Sequence, residues 1–242
     1  MWSSAKARLR RALVRVAVAQ GADARQLLAL RYLRGYGIEI GALVGPLPVP
    51  RGTHVRYVDR MSVPELRQQY PELAGLALIE PDVVDDGERL DMFADASLDF
   101  VAASHFIEHC QNPIGTIRRH LRKLREGGVL FLVVPDMRAT FDAERAPTSV
   151  EHLVRDDREG PEWSRAAHYW EWVTQAQKVA EDVEATIARL SAQDYSIHFH
   201  VWTPDTFLEL LEHCRGDGMP FELQAFERAD AEFVVVLRKA PS

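Results

Sequence analysis

The sequence contains very little cysteine. Only Cys110 and Cys214 occur among 242 residues, and they form no C-x-x-C motif. Two cysteines so far apart provide neither a disulfide framework nor a thiolate zinc site. We therefore expect a protein of the reducing cytoplasm, in which both thiols pack as small buried hydrophobic groups.

An excess of positive charge is also lacking. The chain has 29 Lys and Arg residues against 36 Asp and Glu residues, which gives a formal net charge of −7. Because binding to nucleic acid needs clustered cations that neutralise phosphates, we do not expect nucleic acid as a general partner.

Long hydrophobic runs are absent as well. The stretch 1–20 has apolar residues at helical spacing, but Arg8, Arg10, Arg11 and Arg15 interrupt each run. This pattern predicts an amphipathic helix with a basic face rather than a signal peptide. No later run reaches the length of a membrane span.

The sequence does contain a regular alternation of short apolar strands and helical patterns, which predicts a parallel sheet with helices on both faces. A final helix and two closing strands predict an antiparallel hairpin at the end of the sheet. The predicted fold class is therefore α/β, a Rossmann-like, doubly wound and mostly parallel sheet. The predicted strands are 36–42, 54–60, 81–85, 98–104, 129–136, 220–228 and 231–239, and the predicted helices include 24–33, 62–73, 112–128 and 203–214.

Particular residues mark the ends of these helices. Ser62, which precedes Pro64 by two residues, and Thr203 are predicted N-caps. Gly127 and Gly128 are predicted to stop the helix that begins near residue 112.

The chain reads as one domain with an elaboration. We expect amino-terminal helices in 1–35, a cofactor-binding core in 36–137, and a closing helix and hairpin in 201–242. Residues 138–200 break the alternation of strands and helices, and they are rich in charge, His, Trp and Tyr. This insertion contains a long helical run at 171–190 and is predicted to cap the active cleft.

Informative residues follow the predicted strands. In an open α/β sheet, ligands bind beyond the carboxyl ends of the strands. Glu39 and Gly41 stand at the end of the first strand, Asp59 ends the second, and Asp86 and Gly87 follow the third. Taken singly, each has a plain structural reading as a turn, a helix cap or an acidic loop.

The first of these stretches, "EIGALVG", fits G-x-G-x-x-G poorly because Ala42 and Leu43 replace glycines. Taken in order, however, "GIEIGA", "YVDR", "DDGERL", "LDFVAASHFIEHCQNPIGTI" and "LREGGVLFLVVPD" resemble the motif series of class I S-adenosylmethionine-dependent methyltransferases. The resemblance runs from about 37 to 136.

A narrower resemblance extends over most of the chain. The stretches "EIGALVGPLPVP", "EHCQNPIGT", "SVEHLVRDDREGPEWSRAAHYWEW" and "HFHVWTPDTF" are similar to a bacterial methyltransferase group associated with glycan (sugar or polysaccharide) biosynthesis.

The resemblance implies S-adenosyl-L-methionine as the cofactor and gives roles to particular residues. The methionine part would lie on Glu39, Gly41 and Ala42, although the departure from glycine at Ala42 affects its detailed placement. The ribose hydroxyls would lie on Asp59, and the adenine on Asp86 and Gly87. Ser104 and His105 would line the methyl-transfer cleft.

The stretch "HFIEH" also matches H-x-x-E-H, the signature of a class of zinc proteases. Pro113 follows His109 by only four residues, so the long metal-bearing helix of a protease is not expected. His109 is then a residue that packs or hydrogen-bonds at a helix start, and His105 is the better cleft candidate.

The insertion supplies further candidates for catalysis. Histidines and tryptophans lie near one another in this part of the sequence. The histidines are His152, His168, His198 and His200, and the tryptophans are Trp170, Trp172 and Trp202. Aromatic faces stack on sugar rings, and polar side chains select hydroxyls. The competing reading is that each histidine is packed or faces solvent.

Methyl transfer to an alcohol needs help with the departing proton, from a neutral histidine or from a divalent ion. His152 is the favoured general base, followed by His168 and His105. Asp136, at the end of the fifth strand, could hold the acceptor, or it could bind Mg²⁺ together with Glu151 or Glu171. No spacing in the sequence establishes such a metal site.

The predicted function is a cytoplasmic O-methyltransferase that acts on a hydroxyl of a sugar or oligosaccharide. Two alternatives stay open: a small-molecule N- or O-methyltransferase of other metabolism, and a non-catalytic partner of a glycan-assembly enzyme. A homodimer is one option for the oligomeric state.

Overall fold

The computed structural model describes residues 23–241, and the helix predicted within 1–20 lies outside the described residues. A seven-stranded sheet with the order β3-β2-β1-β4-β5-β7-β6 forms the centre. All neighbouring strands are parallel except β7, which runs antiparallel to both β5 and β6. The strands are β1 (Tyr36–Ile40), β2 (His54–Asp59), β3 (Val83–Val84), β4 (Leu98–Ser104), β5 (Leu124–Pro135), β6 (Phe221–Ala229) and β7 (Glu232–Lys239). The predicted fold class is confirmed.

Alternation along the central strands explains why both faces of the sheet are covered. In β4, Val101 and Ala103 belong to one hydrophobic cluster, whereas Phe100 and Ala102 belong to another. Successive side chains of a strand point to opposite faces, so a continuous apolar run supplies two cores at once. Leu28, which is 1% exposed, packs in the second core, and full burial of such a side chain contributes about 1.5–3 kcal/mol.

Seven α-helices of the described residues surround the sheet. Ser62 and Thr203 precede helices as predicted: Glu65 accepts hydrogen bonds from the backbone N–H and the hydroxyl of Ser62, and Thr203 Oγ1 accepts one from the Thr206 N–H. No helix of residues 23–241 is long and apolar enough to cross a membrane. The helices are α1 (Ala24–Tyr32), α2 (Val63–Gln69), α3 (Pro113–Lys123), α4 (Val150–Glu159), α5 (Glu162–Glu171), α6 (Val183–Ala192) and α7 (Pro204–Gly216).

The end of α3 differs from the prediction. The helix ends at Lys123, and β5 begins at the next residue, so Gly127 and Gly128 lie in the strand. Leu98 pairs with Leu124 but Phe100 pairs with Val129, so β5 has extra residues at this point. Gly127 accommodates the irregularity with φ of +74°, a conformation that favours glycine.

The long helical run predicted at 171–190 is interrupted. After α5, a wide π-type turn at Trp172–Ala176 leads into an irregular stretch before α6 begins. Lys178 and Asp182 have positive φ values of 55° and 53°, which a continuous helix does not allow. The break lets the two halves fold on each other around a small core of the insertion, formed by Tyr169, Trp172, Val173, Leu190, Ile197 and Phe199.

Candidate active site

A cleft of about 660 Å³ opens beyond the carboxyl ends of the parallel strands. Strand order reverses between β1 and β4, and in a doubly wound sheet the ligand site lies at such a switch point. Five of the eight predicted cofactor residues line the cleft: Gly41, Asp59, Asp86, Gly87 and His105.

The backbone leaves the β1 end of the cleft open. Gly41 has φ of +66°, and no heavy atom lies within 4 Å of the position that a Cβ would occupy. Its N–H donates to the carbonyl of Val58 at 2.9 Å, which ties the turn to β2. A ligand can therefore approach the backbone closely at this glycine.

The loop that carries Asp86 and Gly87 is clamped to the start of α3. The Glu88 carboxylate accepts hydrogen bonds from the backbone N–H groups of Gln111 and Asn112, at 2.9 and 3.3 Å. His120 Nε2 lies 2.8 Å from the Gly87 carbonyl, and burial lowers the pKa of His120 to about 4. A neutral imidazole thus holds the loop in place. No motif in the sequence indicated either clamp.

Asp59 presents a carboxylate to the cleft at the end of β2. Burial raises its pKa, and backbone N–H groups of Arg60 and Met61 oppose that shift. A partly buried carboxylate in a cleft is a strong hydrogen-bond acceptor for hydroxyl groups.

The other three predicted cofactor residues do not line the cleft. Ser104 ends β4 with its hydroxyl buried and unpartnered, and Ala42 accepts a turn hydrogen bond from Gly45. Glu39 is 2% exposed, and both of its carboxylate oxygens lie within 3.1 Å of the Leu47 N–H. Burial raises the pKa of Glu39 to about 7.

The insertion forms the opposite wall of the cleft with Phe141, Trp172, Asp194, Tyr195, Ser196, His198 and Phe199. Polar contacts anchor this wall to the core. Arg60 donates to the carbonyl of Asp194 at 3.1 Å, and Gln69 donates to the carbonyl of Gln193 at 2.7 Å. Tyr195 Oη lies 2.9 Å from Glu72 Oε1.

His105 stands directly after β4 in a strained conformation. Its φ is +51°, a value that non-glycine residues rarely adopt and that concentrates at functional sites. His105 Nε2 lies 2.7 Å from Glu232 Oε2, and this hydrogen bond raises the pKa of the imidazole against the opposing effect of burial. Glu232 reaches His105 because β7 is antiparallel and begins at this edge of the sheet. Sequence reasoning missed it.

The rest of "HFIEH" is short; Ile107 and Glu108 are buried, whereas Phe106 and His109 are half-buried and line the cleft. Residues Ile107–His109 form a single 3₁₀ turn, not the long helix of a zinc protease. Burial lowers the pKa of His109 to about 3, and His109 Nδ1 lies 2.9 Å from the Ile197 carbonyl. His109 thus joins the end of β4 to the insertion, as the hydrogen-bonding interpretation of this residue expects.

A third histidine of the cleft, His198, is held by a buried carboxylate. His198 Nδ1 lies 2.7 Å from Asp142 Oδ2, and Arg145 donates to Asp142 Oδ1 at 2.9 Å. Burial favours a higher pKa for Asp142, but the contacts with His198 and Arg145 lower it. The ring of Phe141, 52% exposed, lies 4.9 Å from that of His198. No motif in the sequence indicates Phe141 or Asp142.

His152 and His168, two of the predicted catalytic residues, do not line the cleft. Their Nε2 atoms are 3.0 Å apart, in a cluster with Asp156 and His200. Burial and then the charge of His152 lower the pKa of His168 to about 4, and burial lowers that of His200 well below its usual value.

The three residues considered for magnesium are not gathered into one site. Asp136 accepts two hydrogen bonds from the Arg138 guanidinium, at 2.9 and 2.6 Å. This contact is the main reason that the pKa of Asp136 is lowered. Glu171 accepts from Arg145 at 3.2 Å, and Glu151 is exposed on the first turn of α4.

Among the tryptophans predicted near the site, Trp202 is 1% exposed in the core, so it cannot stack on a ligand. Of Trp170, Trp172 and Trp202, Trp172 alone lines the cleft.

A doubly wound sheet with carboxylates and an open glycine at its switch-point cleft defines an α/β protein that binds a nucleotide-like cofactor. The chain belongs to the methyltransferase domain family, which it matches over residues 20–214. It is therefore a methyltransferase that depends on S-adenosylmethionine. The cleft fits this cofactor, because Asp59 and Asp86 offer acceptors for hydroxyl and amino groups and Gly41 leaves space at the backbone.

Similar solved structures share little sequence with this chain. A S-adenosylmethionine-dependent methyltransferase from Methanosarcina mazei is 18% identical, covers 88% of this chain and 96% of its own, and has a TM-score of 0.46. One from Thermotoga maritima is 15% identical, covers 90% and 88%, and has a TM-score of 0.45. No curated protein in the comparison matches the chain. Identities this low say nothing about the methyl acceptor.

We predict that Asp59→Ala weakens binding of S-adenosylhomocysteine by about 1–3 kcal/mol, which is roughly 5- to 150-fold in Kd. The variant removes the acceptor at the end of β2 and leaves ligand hydroxyls unpaired. Calorimetric titration measures the effect, with Asp91→Asn as the control because Asp91 is exposed and outside the cleft. Equal affinity of Asp59→Ala and wild type would refute the role of Asp59.

We also predict that Glu39→Gln reduces the pH dependence of stability. The pKa of Glu39 is about 7 in the folded protein against an ordinary 4.5. Between these values the folded state keeps a proton that the unfolded state has released, so the stability of the wild type falls as pH rises. The full loss, at most about 3 kcal/mol, is reached above the folded pKa.

Urea unfolding of the cofactor-free protein at about pH 5 and about pH 8 measures this difference. Wild type is expected to lose more stability than Glu39→Gln between the two conditions. Glu80→Gln is the control, since Glu80 is exposed. If Glu39→Gln and wild type respond equally to pH, the buried carboxyl does not have the raised pKa.

Proposed function

We propose that the protein transfers the methyl group of S-adenosylmethionine to a hydroxyl of a sugar or oligosaccharide. The observation that carries the proposal is the aromatic wall of the cleft. Phe141 and Trp172 line it on the insertion side, opposite Asp59 and Asp86. One side of the cleft thus suits a nucleoside, and the other offers an acceptor the exposed ring of Phe141, which is backed by the largely buried Trp172.

The chemistry of this wall suits a pyranose. Sugar rings have apolar faces that stack on aromatic side chains, while their edges carry hydroxyl groups that need hydrogen-bond partners. The Phe141 and Trp172 rings meet edge to face, with centroids 5.2 Å apart. His198, oriented by Asp142, stands beside Phe141 and supplies a polar group at the edge of the stacking surface.

Of the predicted bases His152, His168 and His105, His105 lines the cleft and the other two do not. When bound, S-adenosylmethionine supplies an electrophilic methyl group, so the new O–CH₃ bond forms as the S–CH₃ bond breaks. The acceptor hydroxyl must lose its proton, and a positioned histidine can take it. With Nε2–H donated to Glu232, His105 Nδ1 makes no hydrogen bond with the described residues and lies 3.7 Å from Glu108 Oε1, so its lone pair can accept that proton. This assignment replaces His152 as the favoured base.

The experiment that tests the proposal is a panel of acceptors with methyl-labelled S-adenosylmethionine. It contains monosaccharides, oligosaccharides, phenols, aliphatic alcohols and amines. We expect label in one or more sugars and a stoichiometric yield of S-adenosylhomocysteine. Transfer only to a non-sugar acceptor would instead support a methyltransferase of other metabolism. Binding of the cofactor product without transfer to any acceptor would support the non-catalytic alternative.

We predict that His105→Gln lowers kcat by about 10²- to 10⁴-fold, because the base is lost. His54→Gln is the control, since His54 is exposed and outside the cleft. In the wild type the activity should fall as pH decreases through the raised pKa of His105, and Glu232→Gln should move that fall to lower pH. Full turnover of His105→Gln would exclude His105 as the base.

A further inference from the structure

Four potential metal ligands converge outside the cleft. His152 and Asp156 lie one turn apart on α4, His168 lies on α5, and His200 lies in the segment 197–202. One ligand atom of each residue lies within 4.8 Å of those of the other three. Asp156 and His200 are 0% exposed, and His168 is 5% exposed.

Three of the distances between the ligand atoms are close to those of a tetrahedron around one ion. A zinc ion bound at 2.0–2.1 Å separates its ligand atoms by about 3.3–3.4 Å. His152 Nε2 lies 3.0 Å from His168 Nε2 and 3.3 Å from Asp156 Oδ2. Asp156 Oδ2 lies 3.6 Å from His200 Nε2. All four atoms lie within 4.8 Å of one another, so three nitrogens and one oxygen are close enough to share one ion, although His200 Nε2 also lies 3.4 Å from the Gln111 carbonyl oxygen.

The hydrogen bonding of the cluster is incomplete without a cation. Asp156 Oδ2 is buried and has no hydrogen-bond partner, although Asp156 Oδ1 accepts one from Ser164 Oγ at 3.0 Å. No Lys or Arg forms an ion pair with Asp156 in the part of the chain that the structure describes. An unpartnered carboxylate oxygen in a dry interior costs free energy, and a coordinated cation removes that cost.

We propose that His152, Asp156, His168 and His200 bind one divalent transition-metal cation, with zinc as the best fit. Neutral imidazoles and a carboxylate in tetrahedral array are a ligand set that zinc accepts. Four protein ligands leave no open position, so the site is structural and not catalytic. The Ser164 hydroxyl on Asp156 Oδ1 orients the carboxylate from behind.

The position of the site explains what such an ion does. It joins α4 and α5 to the segment that carries His198 and Phe199 into the cleft wall. His200 also contacts the core through its backbone, because its backbone N–H donates to the Glu108 carbonyl at 3.2 Å. The ion therefore holds this segment of the cleft wall against α4 and α5. The proposal does not depend on the identity of the methyl acceptor.

We expect the protein, purified without a polyhistidine tag, to bind one zinc ion per chain. Zinc content is measured by elemental analysis, and Zn²⁺ is titrated into chelator-treated protein by calorimetry. Cobalt added to the same protein should give the intense visible absorption of a tetrahedral nitrogen and oxygen site, without a thiolate charge-transfer band. Absence of bound zinc together with an absent or octahedral cobalt spectrum would overturn the proposal and leave a proton-bridged histidine cluster.

Variants locate the ion. Asp156→Asn and His200→Gln should each lower Zn²⁺ affinity at least tenfold, whereas His54→Gln should not change it. The described residues contain a second group of metal-ligating side chains at the cleft, Glu108, His109 and His198. Loss of zinc in His109→Gln with retention in Asp156→Asn would place the ion there and contradict the proposal. Titration with S-adenosylhomocysteine tests whether each variant is folded. If a variant does not fold, the cobalt spectrum of the wild type tests the proposal in its place.

Discussion

The reversal of strand order between β1 and β4 is the constraint on which the rest of the structure depends. Helices that cross from one half of the sheet to the other diverge at this point and leave a cleft above the carboxyl ends of the strands. The residues at or just after the carboxyl ends of the parallel strands therefore lie at the same edge of the sheet, beside the cleft. Gly41, Asp59, Asp86 and His105 meet because they follow strands, although long stretches of sequence separate them.

The sheet supplies only one side of the site. The other side is an insertion with its own small core around Tyr169 and Leu190, and polar contacts hold it to the sheet domain. Within the insertion itself, Arg145 is central, because its guanidinium, 1% exposed, contacts Asp142, Glu171 and two backbone carbonyls. A buried cation with this many acceptors fixes a geometry that apolar packing alone leaves loose. The histidine cluster also connects parts of the insertion, since it links α4 and α5 to the segment 197–202.

Local patterns predicted much of the fold. Strands β1, β2 and β4 and the closing hairpin lie where alternation and turn residues placed them, and Ser62 and Thr203 precede their helices. The prediction failed at Gly127 and Gly128 because a glycine pair stops a helix or bends a strand equally well. It failed again at 171–190, since a helical pattern does not reveal that the chain must fold back to bury Trp172 and Val173.

The sequence by itself determined the strand order along the chain and the residues that follow each strand, because both depend on spacing over a few residues. Only the tertiary structure decided which side chains meet. His105 pairs with a glutamate 127 residues away because β7 runs antiparallel and begins at the cleft edge. His152 joins Asp156, His168 and His200 away from the cleft because α4 and α5 pack together beside the segment 197–202. Such contacts depend on register and helix packing, which no short stretch of sequence contains.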